Sequence, residues 1–178
     1  TRRERDELAR VAEQDPMTGL LNHDAGFTHM REFLKGVGAL GMHALFMMDI
    51  DDFKCVNDTM GHQQGDKVIR NFADALQHSF RQDDIVCRVG GDEFMALMKN
   101  VKTRDAIVRK ARELLQVLQR TYRTDGGILE LTSSIGIAVY NGDGTPLHDL
   151  YHEADTQLYE AKEAGKNRFS IGGLQPND

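Results

Sequence analysis

The sequence predicts an α/β (α+β) sandwich with a mixed, largely antiparallel central sheet that is flanked by helices. Three observations lead to this prediction. Apolar runs typical of strands alternate along the chain with segments whose apolar residues recur at helical spacing. Two of the expected strands flank a Gly-Gly-Asp-Glu turn, so at least one strand pair is antiparallel. The 178 residues suffice for one compact core but not for two ordinary domains.

The first expected elements are a linker helix, a core helix and a buried strand. Residues 1–14 are highly charged, which suits a signalling helix that arrives from an upstream domain. Pro16 ends this helix, because proline disfavours helical geometry in the residue before it. A second helix is predicted over residues 25–35. The run over residues 44–50, which is apolar except for Asp49 near its end, is typical of a strand buried on both faces.

The rest of the chain continues the alternation. Apolar residues at helical spacing predict a helix over residues 68–80, and two strands then form the hairpin with an acidic tip. The remaining elements are a helix over 107–118, a strand over 131–140 and a last helix that starts at Thr145-Pro146 and ends at Gly165. We expect the catalytic domain to span residues 15–172, followed by a tail over residues 173–178.

Composition and charge exclude several classes of protein. Hydrophobic residues make up 40% of the chain and charged residues 28%, which is typical of a folded domain. No apolar run is long enough to span a bilayer. A net charge of -6 opposes binding to a nucleic-acid backbone, so no nucleic-acid partner is expected. Cys55 and Cys87 lack CxxC spacing, which favours a reduced, cytoplasmic protein over a disulfide framework or a zinc site.

The first chemical motif, Asp49-Ile50-Asp51-Asp52-Phe53-Lys54, follows the buried strand. Ligands of α/β proteins commonly lie beyond strand ends, and neighbouring carboxylates suit a hard divalent cation. An EF-hand loop is excluded, because Phe53 stands where that loop needs an oxygen ligand. A phosphatase-type aspartyl nucleophile and a turn of solvated carboxylates remain as alternatives.

The second motif is Gly90-Gly91-Asp92-Glu93 at the hairpin tip, where Gly-Gly-Asp is also ordinary turn chemistry. If the hairpin lies beside the buried strand, its carboxylates approach Asp49 closely enough to share one or two Mg²⁺ ions. Two cations stabilise the attacking and leaving oxygens in phosphoryl transfer. The lysines that would then meet triphosphate oxygens are Lys54, Lys162 and Lys166.

A polar segment over residues 57–66 joins the buried strand to the next helix and suits the recognition of a base edge. The Asn57 amide offers a donor and an acceptor. The Asp66 carboxylate accepts from the N1 and N2 hydrogens that guanine presents and adenine does not. Helix capping by Asp66 is the alternative that the residues alone favour.

Five segments in this order closely resemble the GGDEF domain of diguanylate cyclases. They are Asp15-to-Asn22, Asp49-to-Lys54, Asn57-to-Asp66, Gly90-to-Phe94 and Ala161-to-Arg168. The resemblance extends from Asp15 to about Phe169. It implies a domain similar to a polymerase palm or a nucleotide cyclase, which condenses two GTP into cyclic di-GMP and releases two pyrophosphates. It also implies a homodimer in which each chain presents one Mg-bound GTP to the other.

The resemblance further implies residue roles. The metal ligands would be Asp49, the Ile50 carbonyl and Asp92, with two Mg²⁺ or Mn²⁺ ions in each active site. The catalytic residues would be Lys54, Asp92 and Glu93, and either of the two acidic residues could deprotonate the attacking 3'-hydroxyl. The GTP-binding residues would be Phe53, Asn57, Asp66, Gly90, Gly91, Lys162 and Lys166.

A product-inhibition site is implied by Arg81-Gln82-Asp83-Asp84, an RxxD sequence at the family's distance before the glycines, with Arg112 as a second arginine. An ion pair between Arg81 and Asp84 at a helix end is the alternative. Two other functions stay open. One is a regulatory module that binds GTP or cyclic di-GMP without turnover, and the other is a cyclase that makes cyclic GMP-AMP, which Asp66 opposes.

Overall fold

A computed structural model describes residues 1–173, so the predicted tail lies outside the described residues except for Gly173. The helices are α1 (Arg2–Glu13), α2 (His23–Lys35), α3 (Phe53–Met60), α4 (His62–Ser79), α5 (Arg104–Leu118) and α6 (Leu147–Glu163). The strands are β1 (His43–Ile50), β2 (Ile85–Gly90), β3 (Glu93–Met98), β4 (Arg120–Thr124), β5 (Gly127–Leu131), β6 (Ser133–Tyr140) and β7 (Phe169–Ile171).

The central sheet has five strands in the order β2-β3-β1-β6-β7. Every neighbouring pair is antiparallel except β6 and β7, which run parallel. The central strand β1 is buried along its whole length, and its successive side chains pack alternately into the cores on the two faces of the sheet. Phe46 and Met48 pack in the core shared with α4 and α5, and Leu45 and Met47 in the core shared with α2 and α6. The predicted mixed, largely antiparallel sheet between helices is therefore confirmed.

Local hydrogen bonds explain where α1 ends and where α2 begins. After α1, the Asp15 carboxylate accepts from the backbone and the hydroxyl of Thr18, which closes a turn that stops the helix. The Asn22 side chain then accepts from the Ala25 backbone and caps α2.

No helix within residues 1–173 is long and apolar enough to cross a lipid bilayer.

The strand predicted over residues 131–140 is in fact divided between two sheets. Its main part is β6, whereas Leu131 ends β5, which pairs with β4 in a separate two-stranded sheet. That hairpin was not predicted, because β4 is mostly polar and both strands are largely exposed. Only Tyr122, Leu129 and Leu131 pack against the core shared with α4 and α5, too few to mark two strands by apolar alternation.

Two other boundaries differ from the sequence predictions. The polar segment over residues 57–66 is largely helical, comprising the second half of α3 and the start of α4 with a reversal at Gly61. Asp66 therefore lies inside α4 and does not cap it. In α6, Pro146 is the N-cap residue rather than the first helical residue after Thr145.

Gly136 of β6 allows α6 to pack directly on the sheet. A Cβ at this position would lie 2.1 Å from the Ala154 carbonyl oxygen and 2.2 Å from the Leu158 nitrogen, both backbone atoms. We expect Gly136→Ala to lower the free energy of unfolding by about 1–3 kcal/mol, because the helix must shift to admit a methyl group. Urea denaturation measures this. Gly126→Ala is the control, since within the described part of the chain its Cβ would meet only Thr124 Oγ1, at 3.9 Å. Equal effects of both variants would contradict the prediction.

Candidate active site

The two acidic motifs meet at one end of the central sheet. In the antiparallel register of β1 and β3, Asp49 lies directly opposite Glu93, so the hairpin tip is beside the end of β1. The tip and the α3 region enclose an open pocket of about 510 Å³. The residues that line it are Asp49, Ile50, Asp51, Asp52, Phe53, Lys54, Asn57, Asp92, Glu93, Lys162 and Lys166.

Asp49 is the most deeply placed acid of this pocket, with only 4% of its surface exposed. One carboxylate oxygen pairs with the Lys162 ammonium. The other, Oδ1, is buried and has no hydrogen-bond partner among residues 1–173. Burial raises the pKa of Asp49 to about 6, against the opposing effect of Lys162. Burial also raises the pKa values of Asp92 and Glu93, so three partly desolvated carboxyl groups share the site.

This donor set fits a hard divalent cation. Mg²⁺ and Mn²⁺ prefer oxygen ligands, and the unpartnered Asp49 Oδ1 offers one in a buried position. In the part of the chain that is described, no three acidic, histidine or cysteine side chains form a ready metal cage. The protein therefore supplies part of a coordination shell, which suits Mg²⁺ sites that also use substrate phosphates.

Lysines provide the positive charge of the pocket. Lys162 projects from the last turn of α6 onto Asp49. Lys166 lies in the turn that follows α6, and its Nζ is 2.6 Å from Asp52 Oδ1. Lys54 contributes from the first turn of α3. All three predicted phosphate ligands thus line one pocket, although they come from distant parts of the sequence.

The predicted base-recognition residues lie on α3 and α4. Asn57 and Phe53 line the pocket. Helix α4 approaches α3 closely at Gly65, where a Cβ would lie only 2.0 Å from Asn57 Oδ1. Asp66 follows this contact on α4 and is half-buried, but it does not line the pocket itself.

The overall sequence matches the family model of the diguanylate cyclase GGDEF domain over residues 12–168. The chain belongs to this family. Probable diguanylate cyclase DgcT of Escherichia coli K12 is 34% identical over 164 residues, which are 90% of this chain and 36% of that protein. The response regulator PleD of Caulobacter vibrioides is 34% identical over 166 residues, 91% of this chain and 36% of that protein. The GGDEF chain thus spans little more than a third of either relative.

Solved GGDEF domains share the fold described above. The structure of the coiled coil and GGDEF domain of DgcB from Caulobacter crescentus, in complex with c-di-GMP, has a TM-score of 0.84 and 27% identity. The match covers 96% of this chain and 91% of that one. The GGDEF domain of PA1120 from Pseudomonas aeruginosa matches with a TM-score of 0.81 and 29% identity, covering 90% and 95% of the two chains. The family and the fold class that the sequence predicted are both confirmed.

The GGDEF turn is held by a residue that the sequence analysis missed. Gly91 adopts a φ of +53°, which favours glycine. Among residues 1–173, no neighbouring atom lies within 4 Å of a Cβ built at Gly91 or at Gly90. Arg88 Nε and Nη2 donate to the Gly91 carbonyl oxygen at 3.0 and 2.7 Å. Its Nη1 also pairs with the Asp15 carboxylate at 3.2 Å. The sequence does show an arginine two residues before the glycines, but it does not show that Asp15 is the partner of this arginine.

The RxxD segment forms a turn just beyond α4. The Asp84 carboxylate accepts from the backbone nitrogen atoms of Arg81 and Lys99, at 3.0 and 2.9 Å. Within the described chain the Arg81 guanidinium forms no ion pair, so the side-chain pair considered as an alternative is not formed. Arg81 and Asp84 line a groove of about 510 Å³, whereas Arg112 is exposed on α5 and does not line it.

Proposed function

We propose that this GGDEF domain is an active diguanylate cyclase that condenses two GTP into cyclic di-GMP with release of two pyrophosphates. One observation carries the proposal: the register of β1 and β3 brings an intact acidic signature beside Asp49, in a pocket ringed by three lysines. A triphosphate needs this combination, because carboxylates hold its cations and ammonium groups bind its oxygens. The activity named for the relatives agrees with this assignment.

Each group in the pocket has a separate role. Asp49, Asp92 and the Ile50 carbonyl would hold two divalent cations, which neutralise triphosphate charge and polarise the phosphoryl group when bound. Lys54, Lys162 and Lys166 bind phosphate oxygens. Asp92 or Glu93 accepts the proton of the attacking 3'-hydroxyl, and burial, which raises the pKa of both, makes each a stronger base than an exposed carboxylate. Asn57 and Asp66 recognise guanine, beside the Phe53 ring and the glycines of the signature turn.

The reaction also needs a second chain. One pocket presents one nucleotide, and the product joins two, so we propose that two domains face each other as a homodimer. An upstream domain would control this encounter through α1, which has no buried residue of its own in this chain. Relatives of which this domain is only a part are consistent with such control.

Turnover is tested by incubating concentrated protein with GTP and Mg²⁺ and separating the nucleotides by chromatography. Cyclic di-GMP and pyrophosphate are the expected products. With equal ATP and GTP, a mainly mixed product would contradict guanine recognition by Asp66. If GTP binds but no product forms even after forced dimerisation, the domain is a non-catalytic regulatory module.

The RxxD turn is proposed to bind the product and inhibit turnover. Arg81 lines the groove and its guanidinium has no ion-pair partner within residues 1–173, and its planar fork suits both phosphate and the guanine edge. We expect Arg81→Ala to raise the cyclic di-GMP concentration that halves the initial rate by about tenfold or more, the effect of losing one charged hydrogen-bonding group. The initial rate without product should stay unchanged. Arg109→Ala on α5 is the control, and inhibition that persists in Arg81→Ala would refute the assignment.

A further inference from the structure

Asp51 is a buried acid of the pocket that belongs to the first acidic motif but receives no individual role in the assignments above. It is 6% exposed. Its Oδ2 accepts from Thr132 Oγ1 at 2.7 Å and from the Asn167 backbone nitrogen at 3.0 Å. Its Oδ1 accepts from Ser134 Oγ at 2.6 Å. The carboxylate therefore ties the end of β1 to the start of β6 and to the turn after α6.

That turn has an unfavourable backbone. Lys166 and Asn167 have φ values of +63° and +47°, in the left-handed region that residues with a Cβ rarely adopt. Two such residues in succession persist only when their surroundings hold them there. The hydrogen bond that the Asn167 backbone N–H donates to Asp51 is one tertiary contact that holds the turn. It fixes the second left-handed residue to the segment that follows β1.

The strained turn determines where a pocket lysine lies. Lys166 is one of the two left-handed residues, and its ammonium group reaches the pocket rim beside Asp52. In a relaxed right-handed turn the side chain would leave the backbone in a different direction. A residue that maintains the left-handed turn thus maintains the position of Lys166.

We propose that Asp51 is a positioning residue that holds the turn after α6, so that Lys166 points into the nucleotide pocket. The inference rests on the proposed function in one respect, since it takes the pocket as the GTP site. The competing role is direct, with Asp51 as a further metal ligand or as a base. The three donors already on its two oxygens favour the positioning role, because a carboxylate that accepts these bonds is held away from other ligands.

Two substitutions separate these roles. In Asp51→Asn the amide oxygen can still accept from Asn167, and the amide NH₂ can donate to the Ser134 hydroxyl, which rotates to receive it. Asp51→Ala removes every bond. A positioning role therefore predicts that Asp51→Asn keeps the turn and the GTP affinity that Asp51→Ala loses. A direct role needs the negative charge, so it predicts that both variants lose activity equally.

The first measurement is amide hydrogen exchange by NMR, which does not depend on catalysis. The Asn167 amide is expected to exchange about tenfold or more faster in Asp51→Ala than in the wild type, and within about threefold of it in Asp51→Asn. Asp74→Asn, an exposed acid on α4, is the control and should change nothing at this turn. Unchanged exchange in Asp51→Ala would overturn the proposal.

The second measurement is the steady-state rate as a function of GTP concentration. Asp51→Ala is expected to raise KM for GTP by about tenfold, with a smaller change in kcat, and Asp51→Asn to stay within about threefold in both. Equal loss of kcat in both variants, with the Asn167 amide still protected, would establish a direct role instead. If the wild type forms no cyclic di-GMP, the proposed function fails while the exchange result still decides the role of Asp51.

Should Asp51→Ala be too unstable to purify, the double variant D51A/N167G replaces it. Glycine adopts the left-handed conformation without strain, so the turn needs less support from Asp51. Positioning predicts that this double variant folds and recovers a KM within about threefold of the wild type. A folded double variant without that recovery would contradict it.

Discussion

Asp92→Asn is expected to lower the rate of cyclic di-GMP formation by about a thousandfold or more while the protein stays folded. The substitution keeps the size of the side chain but removes a negative charge at the tip of the β2–β3 hairpin, beside Asp49. Burial already raises the pKa of Asp92, so its charge acts in a partly desolvated place where a neutral amide is a poor replacement. Chromatography of the nucleotide products over time measures the loss.

The control for this loss is Asp125→Asn, which makes the same chemical change on the exposed β4–β5 turn and should leave the rate unchanged. Circular dichroism and the thermal midpoint establish that Asp92→Asn is folded. Residual turnover above about a tenth of the wild-type rate would show that Asp92 neither holds a cation nor accepts the proton.

The central features of the site could be predicted because they depend on short stretches of sequence. The run over residues 44–50 is apolar except for Asp49, which predicts a buried strand, and Gly90-Gly91 between two apolar runs predicts a turn between two strands. Pairing of that hairpin with β1 then brings Asp92 near Asp49. Each step joins a local pattern to one neighbouring element, where periodicity and turn chemistry are informative.

The supports of the site were missed because their partners lie far apart in the chain. Arg88 meets Asp15 across 73 positions, and Asp51 meets Asn167 across 116. Neither periodicity nor turn chemistry carries information on such contacts, since both describe neighbours along the chain. The β4–β5 hairpin was missed for a different reason. Only Tyr122, Leu129 and Leu131 of its two strands pack against the core, which is too few to produce a clear apolar pattern.

Asp49→Asn is expected to abolish cyclic di-GMP formation and at the same time to stabilise the metal-free protein near neutral pH. Activity should fall by about a thousandfold or more, because the deepest carboxylate of the pocket is lost. The gain in the free energy of unfolding should be about 1–3 kcal/mol, since an ionised carboxylate that is 4% exposed is replaced by a neutral amide of the same shape. Chemical denaturation in the presence of a chelator measures this gain.

The pH dependence gives the sign of this effect. Burial raises the pKa of Asp49 from 3.8 to about 6, so folding favours the protonated form. The stability that Asp49 contributes is therefore complete below pH 3.8 and is lost as the pH rises through about 6. Wild type and Asp49→Asn should be equally stable near pH 4, and the difference should grow until about pH 6 and then level off. Asp125→Asn on the exposed β4–β5 turn is the control and should show no such growth.

Addition of Mg²⁺ reverses the order of stability if Asp49 Oδ1 is a cation ligand. A cation that binds only the folded protein stabilises it in proportion to the logarithm of its concentration, and Asp49→Asn should lack most of this response. If Asp49→Asn is instead less stable than the wild type in metal-free buffer at pH 7, the Lys162 ion pair outweighs the burial of the charge. In that case Lys162 alone would compensate the buried charge of Asp49 in the wild type, without a metal ion. A gain in stability means that the charge of Asp49 is unfavourable until a cation binds, so substrate-bound metal would complete the fold of the pocket as well as its chemistry.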